Sequence, residues 1–324
     1  MRVGHELVYL SSADVAALDL APSEVAAAVE AMLREKAAGR ARTKPKLGLY
    51  PMPGTFYQAM AGALAEPAYA AVKWTGVVHD NDSRGLPHVS PLIVLNELAT
   101  GAPVAVMDGR WVTAQRTAAL TLAGAKRLAR ADSSTVAFVG CGVQARSHLA
   151  LLRAAFPIAR VTAHGRRRET AERFAREALS LGLAAEVATD PRAAVEDALM
   201  VVSSVPESPG LEPFLDPGWL KPGAFVGAID VGRSWRLAGM LAFDIVATDD
   251  REQSTAMVKS GRLVYSGPFH ADLAELVSGR HPGRRAAEER TALIYSGLAL
   301  ADVAVAAAIY ERARRKGIGT VVPL

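Results

Sequence analysis

Apolar residues recur along this chain with two textures, and the change falls near residue 112. Up to that point they come in runs of strand length: Leu7–Leu10, Lys46–Tyr50, Phe56–Met60, Tyr69–Val78, Val89–Asn96 and Pro103–Met107. Turn-forming residues part these runs at Pro51-Met-Pro53-Gly54, Gly85-Leu-Pro87, Thr100-Gly101 and Asp108-Gly109, the punctuation expected between strands. One helical pattern interrupts them. Val25, Val29, Met32 and Leu33 share a face, Ser23 stands at the N-cap position and Gly39 follows the end, as an amphipathic helix requires. The first region therefore reads as a mostly antiparallel sheet with one or two helices.

Thr113 to Ala129 reads as a helix capped by Thr113. From Ser134, strand-like runs (Val136–Gly140, Arg160–His164, Ala184–Val187, Leu199–Ser203, Ala224–Ile229, Ile245–Thr248) alternate with helical stretches such as Gln144–Ala155 and Arg168–Leu181. That alternation predicts an α/β fold with a doubly wound parallel sheet. After Arg290 one long amphipathic helix is expected to about Lys316, stopped by Gly317-Ile-Gly319.

The first strand of the second region ends in Gly140-Cys-Gly142-Val143-Gln144-Ala145. Glycines at a strand-to-helix turn let the backbone close on a pyrophosphate, whose charge then sits at a helix N-terminus. Ala145 takes the third small-residue position, where helix and strand pack closely. In that context the motif predicts dinucleotide binding on a Rossmann-type sheet; the plainer reading is a Gly-rich turn in another α/β fold. The next strand ends in Gly165 followed by Arg166-Arg167-Arg168, with no carboxylate. A carboxylate there would select the ribose hydroxyl, whereas guanidinium forks suit a 2′-phosphate. NADP(H) is therefore favoured over NAD(H); the alternative for these arginines is a solvated helix start.

Composition narrows the rest. The 324 residues suffice for two cores, and half are apolar with 22% charged, as in ordinary globular proteins. The net charge is only +4, and the clusters at Arg166–Arg168 and Arg312–Lys316 lack interleaved aromatics, so nucleic-acid binding is not expected. The apolar stretch Leu298–Ile309 is interrupted by Asp302, which argues against a membrane span. The N-terminus has no signal-like apolar core, and the single cysteine, Cys141, excludes an intrachain disulfide; both suit a cytoplasmic protein. Cys141 reads as a small residue between glycines, with modest thiol activation at the helix N-terminus as the alternative. The seven histidines show no metal-ligand spacing, and no Gly-x-Ser-x-Gly elbow or Walker loop occurs.

Several segments together resemble the ornithine cyclodeaminase and mu-crystallin family. They are Val72-Lys73-Trp74, Arg84-Gly85-Leu86-Pro87, Leu95-Asn96 through Pro103, Met107-Asp108-Gly109, Thr113-Ala-Gln-Arg116-Thr117-Ala-Ala, the Gly140 turn with its unusual Gln144, Asp250-Arg251-Glu252-Gln253, Tyr295-Ser-Gly297 with Asp302, and Gly317-Ile-Gly319. The resemblance covers nearly the whole chain. It implies an α+β substrate-binding and dimerisation domain, residues 1–115 with 291–324, around a dinucleotide-binding domain over 116–290. It also implies a homodimer and hydride transfer at the Cα–N bond of a small α-amino or imino acid, by cyclodeamination, ketimine reduction or amino acid dehydrogenation. A crystallin-like nucleotide-binding protein with little catalysis is the rival reading.

Chemistry at that carbon needs a held carboxylate, a deprotonated amine and control of the iminium. The resemblance assigns Arg116 to the carboxylate, as a bidentate clamp, and Thr117 with the Gly140–Ala145 turn to the cofactor. Lys73 faces away from Val72 and Trp74 in its strand; it marks either a sheet edge or a functional site, and the resemblance favours substrate contact or proton transfer. Burial beside Arg116 would lower its pKa. Lys46 stands where many family members carry Arg, which replaces a planar fork by a point charge. Asp230, after the Ala224–Ile229 strand, matches the family's acidic residue near the nicotinamide, although Val231-Gly-Arg-Ser-Trp235 departs from the usual Pro-containing loop. His88 follows the Gly85-Leu-Pro87 turn and is a substrate-pocket candidate, with a surface loop histidine as the alternative.

Overall fold

The structure, a computed structural model, describes residues 2–208 and 210–324, leaving aside the side chain of residue 82. Two compact units divide the chain, Met1–Arg116 with Leu298–Leu324, and Thr117–Gly297.

The first unit is built on an 8-stranded sheet. Its strands are β1 (Glu6–Leu10), β2 (Ala41–Thr43), β3 (Leu47–Met52), β4 (Thr55–Leu64), β5 (Tyr69–Val78), β6 (Val89–Glu97), β7 (Pro103–Asp108) and a C-terminal strand, Thr320–Pro323. They run in the order C-terminal strand, β1, β7, β6, β5, β4, β2, with β3 also on β4. The β1–β7 pair is parallel and the others antiparallel. Alternate residues of β5 (Ala71, Lys73, Thr75 and Val77) are buried, the period of two that a half-covered sheet imposes. A C-terminal helix, Ala299–Lys316, packs on β4 and β5. A Cβ at Gly62 of β4 would meet Leu300 of that helix at 3.0 Å, so the small residue permits the approach.

Two helices complete this unit. α1 (Ser12–Ala17) is closed by a reciprocal Ser11–Asp14 capping box. α2 (Pro22–Ala37) is capped at Ala21, not at Ser23. Pro22 has no N–H to satisfy and suits the first helical position, while Glu24 accepts from the Ala21 N–H at 2.9 Å. α3 (Arg110–Leu128) contains the division between units. It starts ahead of Thr113, because the Asp108 carboxylate accepts from the Arg110 N–H at 2.9 Å.

The second unit holds an 8-stranded sheet of β8 (Thr135–Val139), β9 (Arg160–His164), β10 (Ala184–Val187), β11 (Met200–Ser203), β12 (Phe225–Ala228), β13 (Ile245–Thr248), β14 (Ala271–Asp272) and β15 (Thr291–Ile294). The order is β10-β9-β8-β11-β12-β15-β13-β14, parallel throughout. Its helices are α4 (Val143–Arg153), α5 (Arg168–Ser180), α6 (Pro191–Val195), α7 (Arg251–Lys259) and α8 (Leu273–Val277). β8, β11, β12, β13 and β15 are buried or nearly so along their length, as parallel strands covered on both faces must be. Thr291–Ile294 is thus a strand and not the opening of a long helix. Gly297, at φ 91°, separates it from the C-terminal helix. The strand order reverses beside β8, so a crevice opens beyond the ends of β8 and β11.

Candidate active site

The Gly140 turn lies at that crevice. Gly140 has φ 97°, and a Cβ there would come within 2.8 Å of the Ser204 carbonyl, so only glycine fits between β8 and the end of β11. Gly142 is the N-cap of α4, at φ −88°, with no side-chain cap. A Cβ on it, or on Gly165, would meet nothing within 4 Å. The uncapped helix end and the open space above it form an anion cradle. A cavity of about 390 Å³ opens here, lined by Gly140, Gly142, Gly165, Arg166, Arg167 and Ser204 among others. Behind the glycines, Val143 is exposed and Ala145 fully buried, and the Gln144 Oε1 is buried with no hydrogen-bond partner. Arg146 secures the turn, donating to the carbonyls of Cys141 at 3.1 Å and Gly142 at 3.0 Å. These features fit a dinucleotide.

Cys141 is not activated. Burial pushes its thiol up to about 11, and the Sγ–H donates to the His164 carbonyl at 3.4 Å. Arg168 pairs with Glu172 at 2.8 Å, and the exposed Arg166 and Arg167 line the cavity. The Thr117 carbonyl accepts from the Tyr295 hydroxyl at 2.7 Å, and Thr117 is itself buried.

Asp230 follows β12 and is buried. Its Oδ1 accepts from Ser203 Oγ at 3.2 Å and the Gly232 N–H at 3.1 Å. Its Oδ2 accepts from Ser234 Oγ at 2.6 Å and the Val205 N–H at 3.4 Å. Burial raises its pKa, and these hydrogen bonds with Arg233 pull the other way. Val231 alongside holds φ 54°, a strained conformation for a β-branched residue.

A second cluster occupies the first unit. Lys73 lies on β5 between β4 and β6, paired with Met60 and Ile93, so it is not at a sheet edge. It is 2% exposed. Its Nζ donates to Asp302 Oδ1 at 2.8 Å and to Thr113 Oγ1 at 3.4 Å. Arg116 Nε donates to the same Asp302 oxygen at 3.0 Å. Arg116 is therefore a buried residue, not an exposed helix arginine. Burial lowers the Lys73 pKa from 10.5 to about 8, with the neighbouring Arg116 charge adding and Asp302 opposing. Two cations share one carboxylate, so the cluster carries net positive charge in a site closed to water, which demands an anion. Arg116 Nη1, Asp302 Oδ2 and the Thr75 hydroxyl are buried without a hydrogen-bond partner.

Asp302 is the member that sequence reasoning left out of the site. Its signal was visible: a single carboxylate inside the apolar stretch Leu298–Ile309 must find a partner when buried. Lys46 is half-buried just ahead of β3. His88, also half-buried, stacks on His79 with ring centroids 5.3 Å apart. The Asp250–Gln253 segment serves architecture. Asp250 caps α7, and Gln253 Nε2 donates to the Gly297 carbonyl at 2.8 Å. Among the described residues there is no His, Cys, Asp and Glu group able to hold a metal, and no helix long and apolar enough to cross a membrane.

Comparison with known proteins places these features in context. The ornithine cyclodeaminase/mu-crystallin family profile matches residues 6–317. Alanine dehydrogenase of Archaeoglobus fulgidus is 33% identical over 98% of both chains. A solved archaeal alanine dehydrogenase dimer with bound NAD superposes with a TM-score of 0.87 at 32% identity, covering 98% of this chain and 99% of that one. Thermococcus litoralis Δ1-pyrroline-2-carboxylate reductase, solved with NADH and L-proline, superposes with a TM-score of 0.89 at 28% identity, covering 97% and 99%.

Proposed function

The chain belongs to the ornithine cyclodeaminase/mu-crystallin family, and from that membership we propose a nicotinamide-dependent enzyme acting at the Cα–N bond of a small α-amino or α-imino acid. One observation carries the reading of the substrate. Lys73 and Arg116 share a single carboxylate oxygen in a buried cluster, and Arg116 keeps a buried N–H group with no partner. A substrate carboxylate supplies the missing anion and acceptor together. Arg116 is the clamp, Lys73 the second cationic contact and proton donor, and Lys46 and His88 the remaining pocket candidates.

The Gly140–Ala145 turn, Thr117, Gly165, Arg166 and Arg167 are assigned to the coenzyme, which supplies or accepts the hydride. Arg166 and Arg167, on a cavity wall with no acidic residue among the described lining residues, support NADP(H) as the preferred form; the two solved relatives above hold NAD and NADH. Asp230, ringed by donors, is assigned to electrostatic stabilisation of the cationic substrate nitrogen. A homodimer is part of the proposal. Leu47, Leu49, Tyr50 and Met52 of β3, with Trp74 and Leu92, are exposed apolar residues on the first sheet, a surface suited to a second copy.

The test is a panel of pyrroline-2-carboxylate, pyruvate with ammonia, ornithine, lysine and alanine, each with all four nicotinamide forms. Absorbance and ammonia are followed together. The proposal expects stoichiometric loss of reduced coenzyme with an imino acid. Ammonia release without net coenzyme change identifies a cyclodeaminase. No turnover and no carboxylate binding across the panel would refute the reading.

A further inference from the structure

Asp302 has two oxygens with different fates. Oδ1 receives Lys73 Nζ at 2.8 Å and Arg116 Nε at 3.0 Å. Oδ2 is buried and receives nothing, in a residue only 1% exposed. An anionic acceptor closed off from water and left without a donor is costly, so its natural complement is a ligand N–H. The same cluster leaves one donor unused, Arg116 Nη1. A vacant donor and a vacant acceptor in one buried cluster match a molecule carrying both a carboxylate and an adjacent N–H. Asp230 is a weaker acceptor, because both its oxygens already receive two donors each, which is close to the capacity of a carboxylate.

We propose that Asp302 is a substrate-contacting residue: Oδ1 fixes Lys73 and Arg116, and Oδ2 accepts a hydrogen bond from the α-amino or α-imino nitrogen. The proposal rests on the reading of the substrate as a small amino or imino acid. It gives the C-terminal helix a direct part in recognition. An acid lacking the nitrogen keeps the Arg116 contact and loses the Asp302 one, so Asp302 is where the site separates imino acids from plain carboxylic acids.

Matched ligand pairs test this. L-proline is compared with cyclopentanecarboxylate, and L-alanine with propionate, by calorimetry on the coenzyme-saturated protein. D302N keeps the side-chain shape and removes the charge. The expected result is at least about a tenfold loss of affinity for the nitrogen-bearing member, with its partner changed less than about threefold. Equal losses for both members would mean that Asp302 only holds Lys73 and Arg116, and would overturn the proposal. Wild-type protein that binds neither pair would instead overturn the substrate reading beneath it. Should D302N fail to fold, a crystal structure of the wild type with coenzyme and L-proline decides. The ring nitrogen within about 3.2 Å of Asp302 Oδ2 supports the contact, and a nitrogen turned away from Asp302 refutes it.

Discussion

Replacing Lys73 by Met separates what the buried ammonium does for function from what it does to stability. Methionine keeps most of the apolar stem of Lys73 and removes its charge. In the folded protein the Lys73 pKa is about 8, against 10.5 for the ordinary side chain, chiefly because burial strips its hydration. At neutral pH both states bind the proton, so the folded state bears the full penalty, about 3 kcal/mol at ~1.36 kcal/mol per pH unit. Between pH 8 and 10.5 the unfolded chain holds the proton and the folded chain releases it. The Lys73 contribution to stability therefore rises with pH across that window. K73M should be more stable than wild type at pH 7 by up to about 3 kcal/mol, and the difference should shrink toward pH 10.5. Urea denaturation of both proteins at half-unit pH steps measures it, and taking the difference cancels the other titrating groups. Catalysis should fall sharply in the same variant, a site purchased at the expense of stability. K73M less stable than wild type by more than about 2 kcal/mol at pH 7 would refute the reasoning, for it would make the ammonium a net contributor through Asp302.

The two glycines of the coenzyme turn should respond differently. G140A places a Cβ 2.8 Å from the Ser204 carbonyl and should lower the melting temperature severely. G142A meets only open space and should keep the fold while weakening coenzyme binding at least about tenfold, through lost backbone approach, read by fluorescence titration. The buried His148 is held neutral, its pKa lowered by burial from 6.5 to about 4. Its Nδ1–H donates to the Gln144 carbonyl at 2.7 Å. Below pH 6.5 the unfolded chain gains a proton that the folded chain refuses, so wild-type stability should fall by about 3 kcal/mol toward pH 4, less so in H148Q. The double variant R166A/R167A should lose NADPH affinity by about a hundredfold and leave NADH within about threefold; equal losses for both would remove the phosphate assignment.

Much of the architecture was legible because buried strands must be apolar and turns must be Gly- or Pro-rich. Tyr69–Val78, Arg160–His164, Ala184–Val187 and Ile245–Thr248 coincide with the observed strands. What escaped has identifiable reasons. Thr291–Ile294 abuts an Ala- and Leu-rich helix, and periodicity alone does not tell a four-residue apolar strand from a helical turn. β2 has three residues, none of them buried, and offers no pattern. α1 is short, although its Ser11–Asp14 capping box was there to read. In the site, Lys73 stood out as a charge inside an apolar strand run, whereas Arg116 was assigned through the family resemblance alone. Asp302 entered as a break in an apolar run and as part of the family match but with no role in the site, because its meaning depends on a partner 229 residues away along the chain. The engagement of Asp230 by Ser203 and Val205 depends on parallel strands meeting side by side, which no local pattern encodes.

The central claim is that a substrate carboxylate completes the positive cluster at Arg116. Steady-state kinetics of R116K with the substrate found in the panel tests it most directly, alongside coenzyme binding. Lysine keeps the charge beside Asp302 and removes the planar fork. The account predicts at least about a hundredfold fall in kcat/KM, carried largely by KM, with coenzyme affinity unchanged. R116K that retains kcat/KM within about twofold of wild type would contradict it, whatever the coenzyme titration shows.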